Sequence, residues 1–204
     1  SIDFDYLNYK SNNNRNFYST TSNSIQTEIP NEYFSANNLT NQKIDNYSTQ
    51  INMEHPLKWV NLSYGTKLSF SVTNNDVNYY NTTNGIPIYD PSQSNLFEYK
   101  ENTQALYFSG NKKFGNNKWE IQAGLRIENT QTEGNSATLN QITTNNFTQS
   151  FPTVYLSYAQ NENHNFSLNY GKRIYRPGFR ELNPFRWYSN PYSYSEGNPD
   201  LKPS

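Results

Sequence analysis

The sequence has 204 residues, a formal net charge of −1 and no cysteine. These values fit one ordinary domain. The lack of cysteine excludes disulfides and thiolate metal sites, and nothing in the charge suggests the clustered basic surface that nucleic-acid binding usually shows. Only 33% of the residues are hydrophobic, yet 16% are aromatic. Disordered chains are poor in aromatic residues. A polar chain with many aromatics suits either an Asn-rich soluble β-domain or a membrane β-barrel with a wet interior.

About seven segments are predicted to be β-strands, because they alternate apolar and polar residues with a period of two. Residues 60–72 place Val60, Leu62 and Leu68 on one face and small polar residues on the other. This run covers the roughly 9–11 residues that a tilted strand needs to cross a bilayer. Residues 119–130 alternate in the same way, with charges of both signs on the polar face. The other strands are predicted at residues 1–9, 44–55, 96–112, 151–159 and 166–174.

The predicted connections alternate between long and short. Outer-membrane barrels join their strands by short periplasmic turns and longer external loops, so the alternation favours a membrane barrel over a soluble sandwich. The long polar loops are predicted at residues 10–42, 74–95 and 131–148, with strand extensions as the alternative within residues 10–42. Periplasmic turns are predicted at Pro56, Gly115 and Asn163, and external loops near Asn84, Asn140 and Pro184.

A sheet of seven strands has two open edges, and lipid cannot satisfy the backbone hydrogen bonds of an edge. Bacterial barrels built from one chain have even strand numbers from about 8 upward. The first residues, SIDFDYLNYK, also read as the inside of a strand. We therefore expect an all-β, antiparallel, up-and-down barrel segment that belongs to a larger barrel.

Residues 170–204 read as a strand followed by an aromatic, Pro-rich loop. The stretches KRIYRPGFRELNPF (172–185) and YSEGNPDLKP (194–203) resemble the barrel of TonB-dependent outer-membrane receptors, in the branch common among Bacteroidota. Earlier stretches agree with the resemblance: EHPLKW (54–59), YKENTQALYF (99–108), AGLRIENTQTEG (123–134) and FPTVYLSY (151–158).

The resemblance implies a barrel of about 22 strands closed by an N-terminal plug domain. It also implies import powered by an inner-membrane complex through a periplasmic TonB contact. Residues 1–204 contain no plug or TonB box and look like a middle portion of the barrel. The implied partners are outer-membrane lipid, the plug and a TonB-type energiser.

Two groups of residues are candidates for binding. Charged residues on the polar strand faces are expected to line the interior, where they contact the plug or substrate or simply pair with neighbours: Lys67, Glu120, Arg126, Glu128 and Arg173. A second group is expected near the external end, where guanidiniums suit an anionic ligand or a lipid phosphate: Arg176, Arg180, Arg186, Trp187 and Tyr192. Pairing of these arginines with Glu181 or Glu196 is the structural alternative.

No catalytic residue, metal site or cofactor is expected. The two histidines, His55 and His164, fall at predicted turns without a companion nucleophile or carboxylate. Residues 74–76 have oxygens suited to calcium but lack the EF-hand pattern, so calcium binding in external loops stays open.

Two functions from different classes remain. The first is energy-coupled uptake of an unidentified substrate. The alternative is a non-transporting barrel that serves as a structural or surface-interaction component of an envelope assembly. A soluble β-sandwich is a third interpretation, and it requires the apolar face of residues 60–72 to be buried against a second sheet.

Overall fold

In a computed structural model, residues 1–22, 28–190 and 193–204 are described. Within these ranges, seven long strands and one two-residue strand form an antiparallel sheet in which the long strands pair in chain order. These strands are β1 (Ile2–Ser22), β2 (Glu28–Pro56), β3 (Asn61–Asn81), β4 (Ile88–Tyr89), β5 (Asn95–Phe114), β6 (Trp119–Ser136), β7 (Gln141–Asn161) and β8 (His164–Gly171). A helical turn, α1 (Phe179–Leu182), and a small hairpin of β9 (Trp187–Asn190) and β10 (Ser193–Ser195) follow.

One face of the sheet, the outer face, is an exposed apolar surface. Leu68 of β3 is 51% exposed, Leu106 of β5 is 67% exposed and Ile127 of β6 is 49% exposed. A contiguous apolar surface of this kind marks contact with a membrane or a partner. The sandwich interpretation fails, because no second sheet in the described ranges covers these side chains.

The apolar band crosses the sheet obliquely. Tyr6 of β1 and Asn146 of β7 lie in one row of the register, which runs through Tyr47, Phe70, Asn102 and Gln131. On β1 the apolar band ends in this row, at Tyr6. On β7 it ends at Pro152, which lies about six residues away from the row along the strand. Over about five strand spacings of about 4.8 Å, at about 3.3 Å per residue, this offset gives a strand tilt of roughly 40°. Outer-membrane barrel strands tilt by about 35–45°, so the register has the stagger of a barrel wall.

Most of the described residues in the long loops predicted at residues 10–42 and 131–148 continue the strands. For residues 10–42 this is the alternative of strand extensions, whereas the loop prediction for residues 131–148 is wrong. β1 and β2 pair from Ile2 and Ile51 up to Thr20 and Tyr33, and β6 turns into β7 over residues 137–140. The loop predicted at residues 74–95 is shorter than expected, since β3 extends to Asn81. The outer face of these extensions is mostly polar, and their inner face mixes amides with buried apolar residues such as Ala36 and Val77. The alternation that predicted the spanning strands therefore disappears while the backbone pairing continues.

The short turns are confirmed. Leu57 N–H donates to the Val60 carbonyl at 2.9 Å and closes the first turn. In the second turn, Gly115, Asn116 and Asn117 have φ values of 60°, 55° and 64°, a conformation that Gly and Asn tolerate best.

The chain leaves the sheet after Gly171, so the strand predicted at residues 166–174 ends early. Residues 172–190 and 193–204, here called the C-terminal segment, fold back onto the face opposite the apolar band, the inner face. Leu182 packs there against Phe97 and Tyr99 of β5 and forms a small core with them. Pro184, predicted in an external loop, lies next to this core.

Among the described residues, no helix is long and apolar enough to cross a membrane.

Candidate functional site

The register gathers four of the five predicted interior residues on the inner face. Lys67 and Glu128 lie in one row, separated by Ala105 of β5. Arg126 and Glu120 lie on the same face of β6 as Glu128, because even-numbered positions of a strand share a face. The fifth residue, Arg173, follows the end of β8 and is exposed, so the structure does not place it on a strand.

Glu128 is the centre of an ion cluster on this face. Its side chain is 5% exposed, and it accepts hydrogen bonds from Arg126 Nη2 at 2.7 Å and Arg126 Nε at 3.0 Å. Arg176 of the C-terminal segment forms an ion pair with the same carboxylate. Two guanidiniums therefore compensate one buried negative charge, which would be costly in the protein interior without partners.

The cluster continues through an aromatic residue that sequence reasoning did not single out. The guanidinium of Arg126 lies 5.7 Å from the ring centroid of Tyr107, and the Tyr107 hydroxyl donates to Oδ1 of Asn52 on β2. The ring covers Gly65, where a Cβ would lie 2.6 Å from the Tyr107 hydroxyl and 2.2 Å from the Ile51 carbonyl oxygen. The sequence does contain a signal for this close approach, because a glycine inside an alternating strand often marks a site where another group comes close to the backbone.

Glu120 makes a smaller cluster near the short turns. It accepts from Asn111 Nδ2 at 2.7 Å and lies 3.8 Å from Lys113 Nζ. Its side chain is 33% exposed, so this pair is a solvated one of the kind that contributes little to stability.

Internal hydrogen bonds hold the C-terminal segment in shape. Tyr175 and Ser204 exchange backbone hydrogen bonds at 2.8 and 3.1 Å. Gly197 N–H donates to the Asn183 carbonyl at 2.9 Å, and Asn198 N–H donates to the Glu181 carbonyl at 2.7 Å. A Cβ on Gly197 would lie 2.5–2.7 Å from three backbone oxygens, those of Asn183, Arg180 and Glu181. Only glycine fits this contact without displacing the backbone.

Glu181 of this segment titrates below its ordinary range. The Tyr175 hydroxyl donates to both carboxylate oxygens at 2.7 and 2.9 Å, and Gly178 N–H donates to one of them at 2.8 Å. These hydrogen bonds, that of Tyr175 first, stabilise the charged form and lower the pKa of Glu181.

The predicted external group does not form one site. Arg176 turns toward Glu128. Arg186 pairs with Glu196 at 2.9 Å and lies 4.6 Å from the ring centroid of Tyr194, which is the structural alternative that the sequence left open. Arg180 and Trp187 lie together on the wall of a cavity. Tyr192 lies outside the described residues.

This interior cavity has a volume of about 640 Å³ and lies between the inner face of β1–β3 and the C-terminal segment. Amides and hydroxyls dominate its strand side, and charged and aromatic side chains face them from the segment. The wall from the strands consists of Ser11, Asn13, Arg15, Phe17, Asn38, Thr40, Gln42 and Asn75. The wall from the segment consists of Arg180, Glu181, Trp187, Tyr188, Ser195, Glu196, Gly197, Asn198 and Leu201. All eight strand residues fall within the loops that were predicted at residues 10–42 and 74–95, so the alternation gave no signal for them.

In the described part of the chain, no cluster of three or more His, Asp or Glu side chains could hold a metal ion. His164 Nδ1 lies 3.0 Å from Oδ1 of Asn161 in the last short turn. His55 lies opposite Leu62 in the β2–β3 pair.

A model of the outer membrane protein beta-barrel family matches residues 1–204. The crystal structure of the ferric citrate transporter FecA in its unliganded form has a TM-score of 0.52 to this chain at 14% identity, over 82% of this chain and 24% of that one. At this identity the likeness is one of fold, and the chain spans about a quarter of that transporter's length. No curated protein matches the sequence significantly.

These matches confirm the resemblance to receptor barrels at the level of fold, and the bacterial outer membrane as the location. The apolar outer face, the roughly 40° tilt and the polar inner face are the physical signs of the same assignment. The family is one of barrels and not a class of enzymes. This chain belongs to the outer membrane protein beta-barrel family.

Proposed function

We propose that the chain is a middle part of the barrel of an energy-coupled receptor that takes up a solute across the outer membrane. The observation that carries the proposal is the inner face: a polar barrel wall with a cavity of about 640 Å³ and a segment held inside by an ion cluster. An interior of this kind can hold a hydrated solute, whereas a purely structural barrel has no need for it.

The complete receptor in this proposal includes parts outside residues 1–204. The open edges of β1 and β8 pair with further strands, since lipid cannot satisfy them. An upstream plug domain blocks the barrel, and a TonB-type energiser displaces it. The first check is the intact mass of the native chain from membrane extracts, where we expect a product several times larger than 23.8 kDa.

Uptake tests the function itself. Cells that carry the full-length gene, its deletion or a version without the TonB contact are grown in a complex medium, and depletion of solutes from the medium is compared by mass spectrometry. We expect at least one solute to be depleted only when both the barrel and the energiser contact are intact. Identical depletion profiles in all three strains, with stable co-purifying envelope proteins, would favour the non-transporting alternative.

A further inference from the structure

The interior cavity lies beyond the membrane-facing band. Ser11, Gln42 and Asn75 line it from one register row, whereas the apolar band on the outer face of β1 ends at Tyr6, and the outward residues that follow it, from Asn8 to Asn16, are polar. The cavity is thus at the end of the sheet where the hairpins extend. If this end is external, as predicted from the connections, a solute from outside reaches the cavity before the spanning part of the barrel.

Asn75 supplies an unpartnered donor in this wall. Its side chain is 2% exposed, and its amide Nδ2 has no hydrogen-bond partner in the described protein. Buried amides are nearly always paired. This orphaned donor, in a residue that borders the cavity, leaves one hydrogen bond open to an oxygen atom of a bound molecule.

Two guanidiniums in the cavity wall have no ion-pair partner among the described residues. Glu181 is engaged by Tyr175 and Gly178, and Glu196 by Arg186. The remaining charged lining residues are Arg15 of β1 and Arg180 of α1. Guanidiniums bind carboxylates through paired N–H donors.

The neutral part of the wall fits hydroxyl groups. Asn13, Asn38 and Gln42 each offer a donor and an acceptor, and Thr40 adds a hydroxyl. Trp187 and Tyr188 present aromatic surface from the C-terminal segment. The volume of about 640 Å³ is within the range of small-molecule sites, about 300–1,000 Å³.

We infer that this cavity binds a carboxylate-bearing, hydroxyl-rich solute of the acidic-sugar class. Arg15 and Arg180 hold the carboxylate, Asn75 donates to a hydroxyl or ring oxygen, and Trp187 packs against the apolar side of the ring. The inference rests on the proposed function and deepens it by naming the substrate class.

Binding to the full-length receptor in detergent tests the inference by calorimetry. The probes are uronic-acid and sialic-acid oligosaccharides, each paired with its methyl ester, which removes the charge and keeps the ring. We expect at least one acid to bind, and its ester to bind at least tenfold more weakly. Arg15→Gln and Arg180→Gln each reduce the preference for the acid, and Asn75→Ser weakens acid and ester alike. The control is Arg173→Gln, which changes an exposed arginine outside the cavity and leaves both affinities unchanged.

Three results overturn the inference: no acid binds, acid and ester bind equally, or both arginine variants keep the wild-type affinity and preference. The assay needs no energiser, so its failure is distinct from failure of the proposed function. Energised uptake of a neutral solute without binding of any acid contradicts the site alone. Binding of an acid without any energised uptake contradicts the proposed function alone.

Discussion

Arg176 forms an ion pair with Glu128, and this pair ties the C-terminal segment to the middle of the barrel wall. In the sequence the two residues are separated by β7 and β8. Because Glu128 is 5% exposed and also binds Arg126, the segment is held by a buried charge and not by a loose surface contact.

Replacing Glu128 with Gln is expected to destabilise the protein strongly, because two guanidiniums then lose their buried counter-charge. Breaking one side of a buried ion pair costs about 3–5 kcal/mol. Urea unfolding of the full-length protein in liposomes measures the loss. The matched control is Glu120→Gln on the same face of the same strand, where the side chain is 33% exposed and the cost stays below about 1 kcal/mol. Equal costs for both variants would contradict the buried cluster.

A Cβ at position 65 has no space. Gly65→Ala would place it 2.2 Å from the Ile51 carbonyl oxygen and 2.6 Å from the Tyr107 hydroxyl, and we expect a loss of about 1–3 kcal/mol, typical of overpacking. Gly110→Ala is the control, since its Cβ would meet Val60 and Leu62 at the ordinary distances of 3.5 and 3.6 Å. The midpoints of thermal unfolding of the two variants are compared by the shift in gel mobility between folded and unfolded barrel. A Gly65→Ala variant as stable as the wild type would show that Tyr107 does not cover this position.

The folded C-terminal segment depends on Gly197 in the same way. Gly197→Ala forces a Cβ to within 2.5 Å of the Asn183 carbonyl oxygen, so we expect faster amide exchange and faster proteolysis across residues 175–204. Gly178→Ala adds a Cβ that meets only Glu181 Oε2, at 3.8 Å, and should leave exchange unchanged. Protection that is equal in the two variants would rule out the close backbone contact.

A new charge should destabilise the protein far more on the outer face of β3 than on its inner face. Leu68 lies on the outer face near the middle of the apolar run and is 51% exposed, so Leu68→Arg should cost roughly 2–4 kcal/mol in a bilayer. Ser69→Arg is the neighbouring control. It points to the inner face, which already carries Lys67, and its cost should be much smaller, because a polar interior hydrates the charge. Unfolding in liposomes provides the measurement, and the reverse order would mean that the faces are misassigned.

Acid should loosen the C-terminal segment. The pKa of Glu181 is lowered by the hydrogen bonds from Tyr175 and Gly178, so its stabilising contribution is complete above the ordinary carboxylate pKa of about 4.3. The contribution is lost as the pH falls through the lower folded-state value. Hydrogen exchange of the segment should therefore accelerate in acid and stay constant near neutral pH. Glu181→Gln should abolish the acceleration of hydrogen exchange in acid. If the acceleration persists in this variant, the titrating group is not Glu181.

The alternation of the sequence determined the spanning part of the fold. Residues 60–72 and 119–130 show their two faces without any tertiary information, since lipid on one side and a wet interior on the other demand opposite side chains. The same physics explains the failure at residues 10–42. Beyond the apolar band the outer face also meets water, and the Asn and Ser residues there hide strands whose backbone pairing continues to Thr20 and Tyr33.

Only the tertiary structure decided the site. Lys67, Glu120, Arg126 and Glu128 were predicted on polar faces from local period, and the register placed them together on one face. By contrast, no local sequence pattern predicts that Arg176 pairs with Glu128. Likewise, none predicts that Arg15 and Arg180 line the same cavity. These contacts depend on where the chain turns after Gly171 and on the strand register, and they join residues that are distant in sequence. The sequence alone determined a barrel wall with one apolar and one polar face, and the return of the C-terminal segment onto that polar face created the cavity.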